Sequence, residues 1–123
     1  MTALLLVLAA CEPSEPRPPS EFEIAVKQLW RACESGDGKQ CLELDAKLAG
    51  YETLQGKERQ NALVLRRSYD TERLLRHACN AGEAVACYEK GKRTHTRGVS
   101  VDFIRGCELG HQPSCDEVAR QKR

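Results

Sequence analysis

Large apolar side chains are scarce in this 123-residue chain, which has one tryptophan, two phenylalanines, three tyrosines and one methionine. A chain of this length makes one domain, and so few bulky residues make its core marginal, so an added restraint is expected. Charge of one sign is also missing: 19 Lys plus Arg face 18 Asp plus Glu. That balance excludes a bulk field drawing the protein to nucleic acid or to an anionic membrane, and no nucleic-acid partner is expected. The uncharged run from Met1 to Ala10 is too short to cross a bilayer as a helix. Zinc ligands come as close pairs, two to four residues apart, and no two cysteines are spaced that way, so no metal or other cofactor is expected. A serine hydrolase of the Ser-x-x-Lys type is not supported either. Ser14, Ser20, Ser35, Ser68, Ser100 and Ser114 all lack a lysine three residues on.

What is present begins with that apolar run. Residues 1–10 fit the apolar region of a signal peptide ending in small residues. Leu8-Ala9-Ala10-Cys11 resembles the bacterial lipobox, and the resemblance implies cleavage before Cys11 and a lipid on that cysteine. Residues 11–19 follow as a tether. Four of the five prolines, Pro13, Pro16, Pro18 and Pro19, crowd into it, and proline both fixes φ and removes donors. An extended spacer that holds a folded domain away from a membrane surface is the expected result. Glu12 is not the aspartate that retains some lipoproteins at the inner membrane, so the outer membrane is favoured.

With Cys11 set aside, six cysteines remain, an even number that points to a disulfide framework in an exported chain. Six cysteines allow 15 pairings in principle. Their spacing narrows the choice, because the unit Cys-x2-Gly-x4-Cys occurs three times: Cys33, Gly36 and Cys41; Cys79, Gly82 and Cys87; Cys107, Gly110 and Cys115. Apolar residues at helical spacing precede each first cysteine, with Ser20, Asp70 and Ser100 as candidate caps and Glu23 completing a capping box. The glycine then supplies a left-handed stop, and the second cysteine falls in the first turn of a returning helix. A tight turn between antiparallel helices brings such positions to disulfide distance. The fold expected is all-α, a short α/α solenoid of about three helical hairpins over residues 20–123, each bridged by a disulfide.

These residues resemble a known family. Ala78-Cys79-Asn80-Ala81-Gly82-Glu83-Ala84-Val85-Ala86-Cys87 is similar to the junction of a Sel1-like repeat, a relative of the tetratricopeptide repeat. The segments Ala32 to Cys41 and Gly106 to Cys115 are similar to the same junction. The cysteine-rich branch of that family bridges each helix pair, and its stacked helices imply a surface for a protein or peptide segment. The period is irregular: the first cysteines lie 46 and then 28 residues apart, against roughly 34 for the tetratricopeptide parent. An insertion is expected within Tyr51 to Tyr69 and a shortened loop over Lys92 to Gly98.

The function that follows is a lipid-anchored module of the bacterial envelope that binds a protein or peptide or acts as a scaffold, on the periplasmic side. The alternative, implied by some cysteine-rich relatives, is a β-lactam-binding or β-lactamase-like hydrolase, for which no catalytic residue is assigned. His77, His95 and His111 are expected to be exposed. Arg59, Arg66, Arg67, Arg73 and Arg76 are expected to be a solvated face, and Trp30 is expected in the core.

Overall fold

A computed structural model of the chain describes residues 18–94 and 97–123. Cys11, the signal segment, most of the proline-rich tether and His95 lie outside these residues. The described residues form seven α-helices and no strand: α1 (Glu21–Glu34), α2 (Gly38–Ala49), α3 (Gly56–Ser68), α4 (Thr71–Asn80), α5 (Ala84–Arg93), α6 (Val101–Glu108) and α7 (Gln112–Gln121). A single 3-10 turn, Gly50–Thr53, joins α2 to α3.

Local chemistry accounts for most helix ends. Ser20 Oγ accepts from the Glu23 N–H at 3.2 Å and starts α1, and Asp70 Oδ1 accepts from the Arg73 N–H at 2.8 Å and starts α4. The capping box at Ser20 is not closed. Glu23 Oε1 accepts instead from Asn61 Nδ2 at 2.7 Å, so the cap ties α1 to α3. Ser100 differs more. Its N–H donates to Gln121 Oε1 at 2.9 Å, while its hydroxyl makes no cap bond and is buried without a partner among the described residues.

The first helix of each pair stops in the same way. Gly36, Gly82 and Gly110 take φ of 108°, 97° and 90°, values that suit a residue without a Cβ. Each glycine N–H bonds back to the carbonyl of the first cysteine. The next N–H reaches the carbonyl before that cysteine, as Asp37 does to Ala32 at 3.0 Å and Glu83 to Ala78 at 3.0 Å. This is the Schellman arrangement, repeated at three sites.

Packing is sequential. α1 lies on α2, α2 on α4, α4 on α5, α5 on α6 and α6 on α7. The expected insertion is the 3-10 turn plus α3, which packs at the side of α2 and buries Ala62 alone. The expected loop over Lys92 to Gly98 begins later, because α5 runs on through Arg93. The hydrophobic core holds Phe22, Val26, Leu44, Leu48, Ala62, Leu74, Leu75, Ala78 and Ala86 with the first four bridged cysteines. Among the described residues, α6 and α7 contribute nothing to it. Phe103 of α6 is buried separately, against Gly91 and Tyr88.

Aligning the cysteine units shows how two interfaces of the same register are built differently. Leu44 on α2 and Leu74 on α4 are both fully buried. Their equivalents on α5 and α6 are Lys90 and Asp102, an ion pair with Nζ to Oδ1 of 2.9 Å. The next position pair, Asp45 and Leu75, becomes Gly91 and Phe103, and a Cβ on Gly91 would lie 2.7 Å from the Phe103 ring. Glycine there makes room for the larger ring. At the helix starts, a Cβ on Gly38 would lie 3.2 Å from the Ala78 carbonyl oxygen. The equivalent contact brings Ala84 to Gly106, so each crossing keeps one glycine, on opposite partners.

Candidate functional site

The six cysteines form three bridges, Cys33–Cys41, Cys79–Cys87 and Cys107–Cys115, with Cα separations of 4.6, 4.6 and 4.5 Å. In each, the first cysteine is the next-to-last residue of its helix and the second is the fourth residue of the following one. The turn between them therefore has one shape, and the bridge lies across its open side. Cys33, Cys41, Cys79 and Cys87 are buried, at 3 % exposure or less. Cys107 and Cys115 are partly exposed.

Beside these bridges, Trp30 of α1 is the centre of an aromatic and cationic cluster. Its ring lies 5.2 Å from that of Tyr69 and 5.2 Å from His77, the latter edge-on at 89°. The Arg73 guanidinium carbon lies 4.5 Å from the Trp30 ring centre, at cation–π distance. Arg73 Nη1 also donates to the Ser68 carbonyl at 3.0 Å, which fixes the cation over the ring. Tyr69, Arg73 and His77 recur every fourth residue and so share one face of α4 and its lead-in. That four-residue spacing is the trace the cluster leaves in the sequence. Trp30 is half-buried and packs on the edge of the core rather than inside it.

α6 is tied to the end of α4. Arg105 Nε donates to the Cys79 carbonyl at 3.2 Å and its Nη2 to the Asn80 carbonyl at 3.3 Å. A cation at these carbonyls complements the negative end of the α4 dipole. Ile104 and Val101, one turn apart on the same helix, are 37 % and 75 % exposed. Between α4 and α5 lies a cleft of about 320 Å³ lined by Glu72, Arg76, Lys90, Arg93 and Thr94.

Two expectations about single residues are corrected. His77 and His111 are partly rather than fully exposed: His77 packs on Trp30, and the His111 ring lies 5.0 Å from that of Tyr88. Their sequence neighbours are polar, but their spatial neighbours come from other helices. The arginines are not uniformly solvated either. Arg66 Nη2 is 2.7 Å from Asp45 Oδ1, and Arg73 is held over Trp30.

His111 Nδ1 and Ser114 Oγ are 2.9 Å apart, a pairing of hydroxyl and base. Ser114 is completely buried, so a substrate carbonyl has no approach to its oxygen. The contact instead closes the first turn of α7, where the Ser114 N–H also bonds the His111 carbonyl at 3.0 Å. Among the described residues, no group of three or more His, Cys, Asp or Glu could hold a metal ion, and no helix is long and apolar enough to cross a membrane. Arg120 is exposed, and its hydrogen bond to Glu117, aided by the carboxylate charge, raises its pKa above the ordinary value.

No family model matches the chain, and no curated protein or solved structure is detectably similar to it.

Proposed function

We propose that the chain is an exported, lipid-tethered binding module, a short solenoid of three Sel1-like helix pairs that holds a protein or peptide segment of the bacterial envelope. The observation that carries this reading is the set of three disulfides at one register. Such bridges persist in the periplasm and other oxidising compartments, while cytosolic thiols are kept reduced. Closing a loop of this length contributes about 2–3 kcal/mol in the chain-entropy model. Three such bridges are comparable with the whole stability of a small domain, about 5–15 kcal/mol. A fold with so few large apolar residues thus depends on the compartment that keeps its thiols oxidised.

The cluster around Trp30 supports the binding role. Tryptophan, tyrosine and arginine are the residues that most often dominate binding energy at interfaces. Here Trp30 lies on α1, Tyr69 just before α4 and Arg73 on α4, with Arg105 and Ile104 of α6 beyond them. These are the first helices of the three pairs, the elements that line the concave face when helix pairs stack. The lipid at Cys11 and the spacer from Glu12 to Pro19 would hold this face away from the membrane, with the outer membrane favoured by Glu12.

The experiment has two arms. In cells, the wild-type chain is expected in the membrane fraction and Cys11→Ser in the soluble fraction; retention of the variant argues against the anchor. A photo-reactive residue placed at Ile104 is expected to cross-link one envelope protein, and Trp30→Ala is expected to abolish the adduct. An adduct that survives Trp30→Ala removes the cluster from the binding role.

A further inference from the structure

Three turns of the same shape carry bridges in different surroundings. The first two bridges are sealed: their four cysteines belong to the hydrophobic core and none exceeds 3 % exposure. The third is partly open to solvent at both cysteines. The helices it joins stand outside the core, and their attachment to α5 and α4 mixes polar links with the packing of Phe103 on Gly91 and Tyr88. Lys90 pairs with Asp102, Arg105 bonds two carbonyls at the end of α4, and Phe103 alone buries a large side chain. Thiol–disulfide exchange requires a thiolate to reach a sulfur, so access decides which bridge reacts first.

We propose that the Cys107–Cys115 bridge is a thiol-exchange site: a dithiol reduces it ahead of the two buried bridges and loosens the α6–α7 pair while α1 to α5 stay folded. The attacking thiolate bonds to the Cys107 sulfur, and the S–S bond breaks with its electron pair on Cys115. Cys115 is the better leaving group because it sits in the first turn of α7, where the helix dipole favours negative charge, whereas Cys107 sits at the unfavourable end of α6. The second thiol of the reductant then displaces Cys107. The dithiol is oxidised to a disulfide, the bridge gains two electrons, and the two protons released by the dithiol end on the two cysteines. A local opening of this kind is a sub-global event drawn from the less stable end of the structure.

The test uses the full chain with any initially free thiol blocked by iodoacetamide. Dithiothreitol is added, samples are quenched with N-ethylmaleimide over time, and the peptides are mapped. Cys107 and Cys115 are expected to label at least ten-fold faster than the other four cysteines. Labelling of all six together, or of Cys33 and Cys41 or Cys79 and Cys87 first, overturns the proposal. At the stage when only the third bridge is open, limited proteolysis is expected to cut within residues 97–123 and spare residues 18–94. Digestion of the whole chain at that stage overturns the claim of local release. The double variant Cys107→Ser and Cys115→Ser is expected to keep the helical circular dichroism of α1 to α5 and the slow reduction of both remaining bridges. Collapse of its helical signal also overturns local release. The labelling order on the wild-type chain is decided independently of how that variant folds.

Discussion

Replacing Lys90 by leucine is expected to cost more stability than replacing Asp102 by leucine, and replacing both is expected to cost less than replacing Lys90 alone. Lys90 Nζ and Asp102 Oδ1 are 2.9 Å apart, with side-chain exposures of 30 % and 11 %. Desolvation offsets most of the gross attraction, so the measurable effect depends on which partner is left behind. Lys90→Leu leaves a nine-tenths covered carboxylate without its counter-charge. Removing one partner of a fully buried pair costs about 3–5 kcal/mol, and the partial exposure here reduces that to about 2–3 kcal/mol. Asp102→Leu leaves an ammonium on a flexible stem that already reaches water, and the loss is about 1 kcal/mol. The double variant recreates the apolar combination of Leu44 and Leu74, which are fully buried at the equivalent interface. It is expected within about 1 kcal/mol of the wild type, because an apolar pair of similar volume replaces a buried ion pair at little or no cost. Thermal unfolding followed by circular dichroism under non-reducing conditions reads these differences. In a domain of this size about 1 kcal/mol moves Tm by roughly 4–8 °C, so Lys90→Leu lowers it by roughly 10–20 °C and Asp102→Leu by about 5 °C. Equal losses for the two single variants, or a double variant that loses their sum, would refute the reasoning.

Three further outcomes follow from the packing. Gly91→Ala sets a Cβ against the Phe103 ring and is expected to cost about 1–3 kcal/mol in a chemical denaturation series; adding Phe103→Leu, which imitates Leu75, recovers most of it. Gly82→Ala forces a Cβ into φ of 97° and is expected to cost about 1–2 kcal/mol, whereas no loss would mean that the turn relaxes to another conformation. Arg73→Ala uncovers the only tryptophan, so its emission is expected to shift to the red with a loss of about 0.5–1 kcal/mol. An unchanged spectrum would remove the cation from the Trp30 face.

Several features could be read before any coordinates, and they share a physical origin. The cysteine spacing, the glycine stops and the caps at Ser20 and Asp70 each act across eight residues or fewer. Interactions that short are set by local backbone geometry and by side chains at fixed spacing, so composition and spacing suffice.

The features that could not be read depend on helices distant in sequence. Asn61 takes the Glu23 carboxylate across 38 residues and leaves the capping box open. Gln121 binds the Ser100 N–H across 21 residues, and Arg105 reaches Cys79 across 26. His77 and His111 look fully solvated in the sequence because their partial burial comes from Trp30 and Tyr88. Local spacing by itself determined where each helix pair turns and which cysteines meet. Tertiary packing decided which pairs share the core, which interface is ionic and which bridge faces water, since those outcomes depend on the side chains that a neighbouring helix brings to a surface.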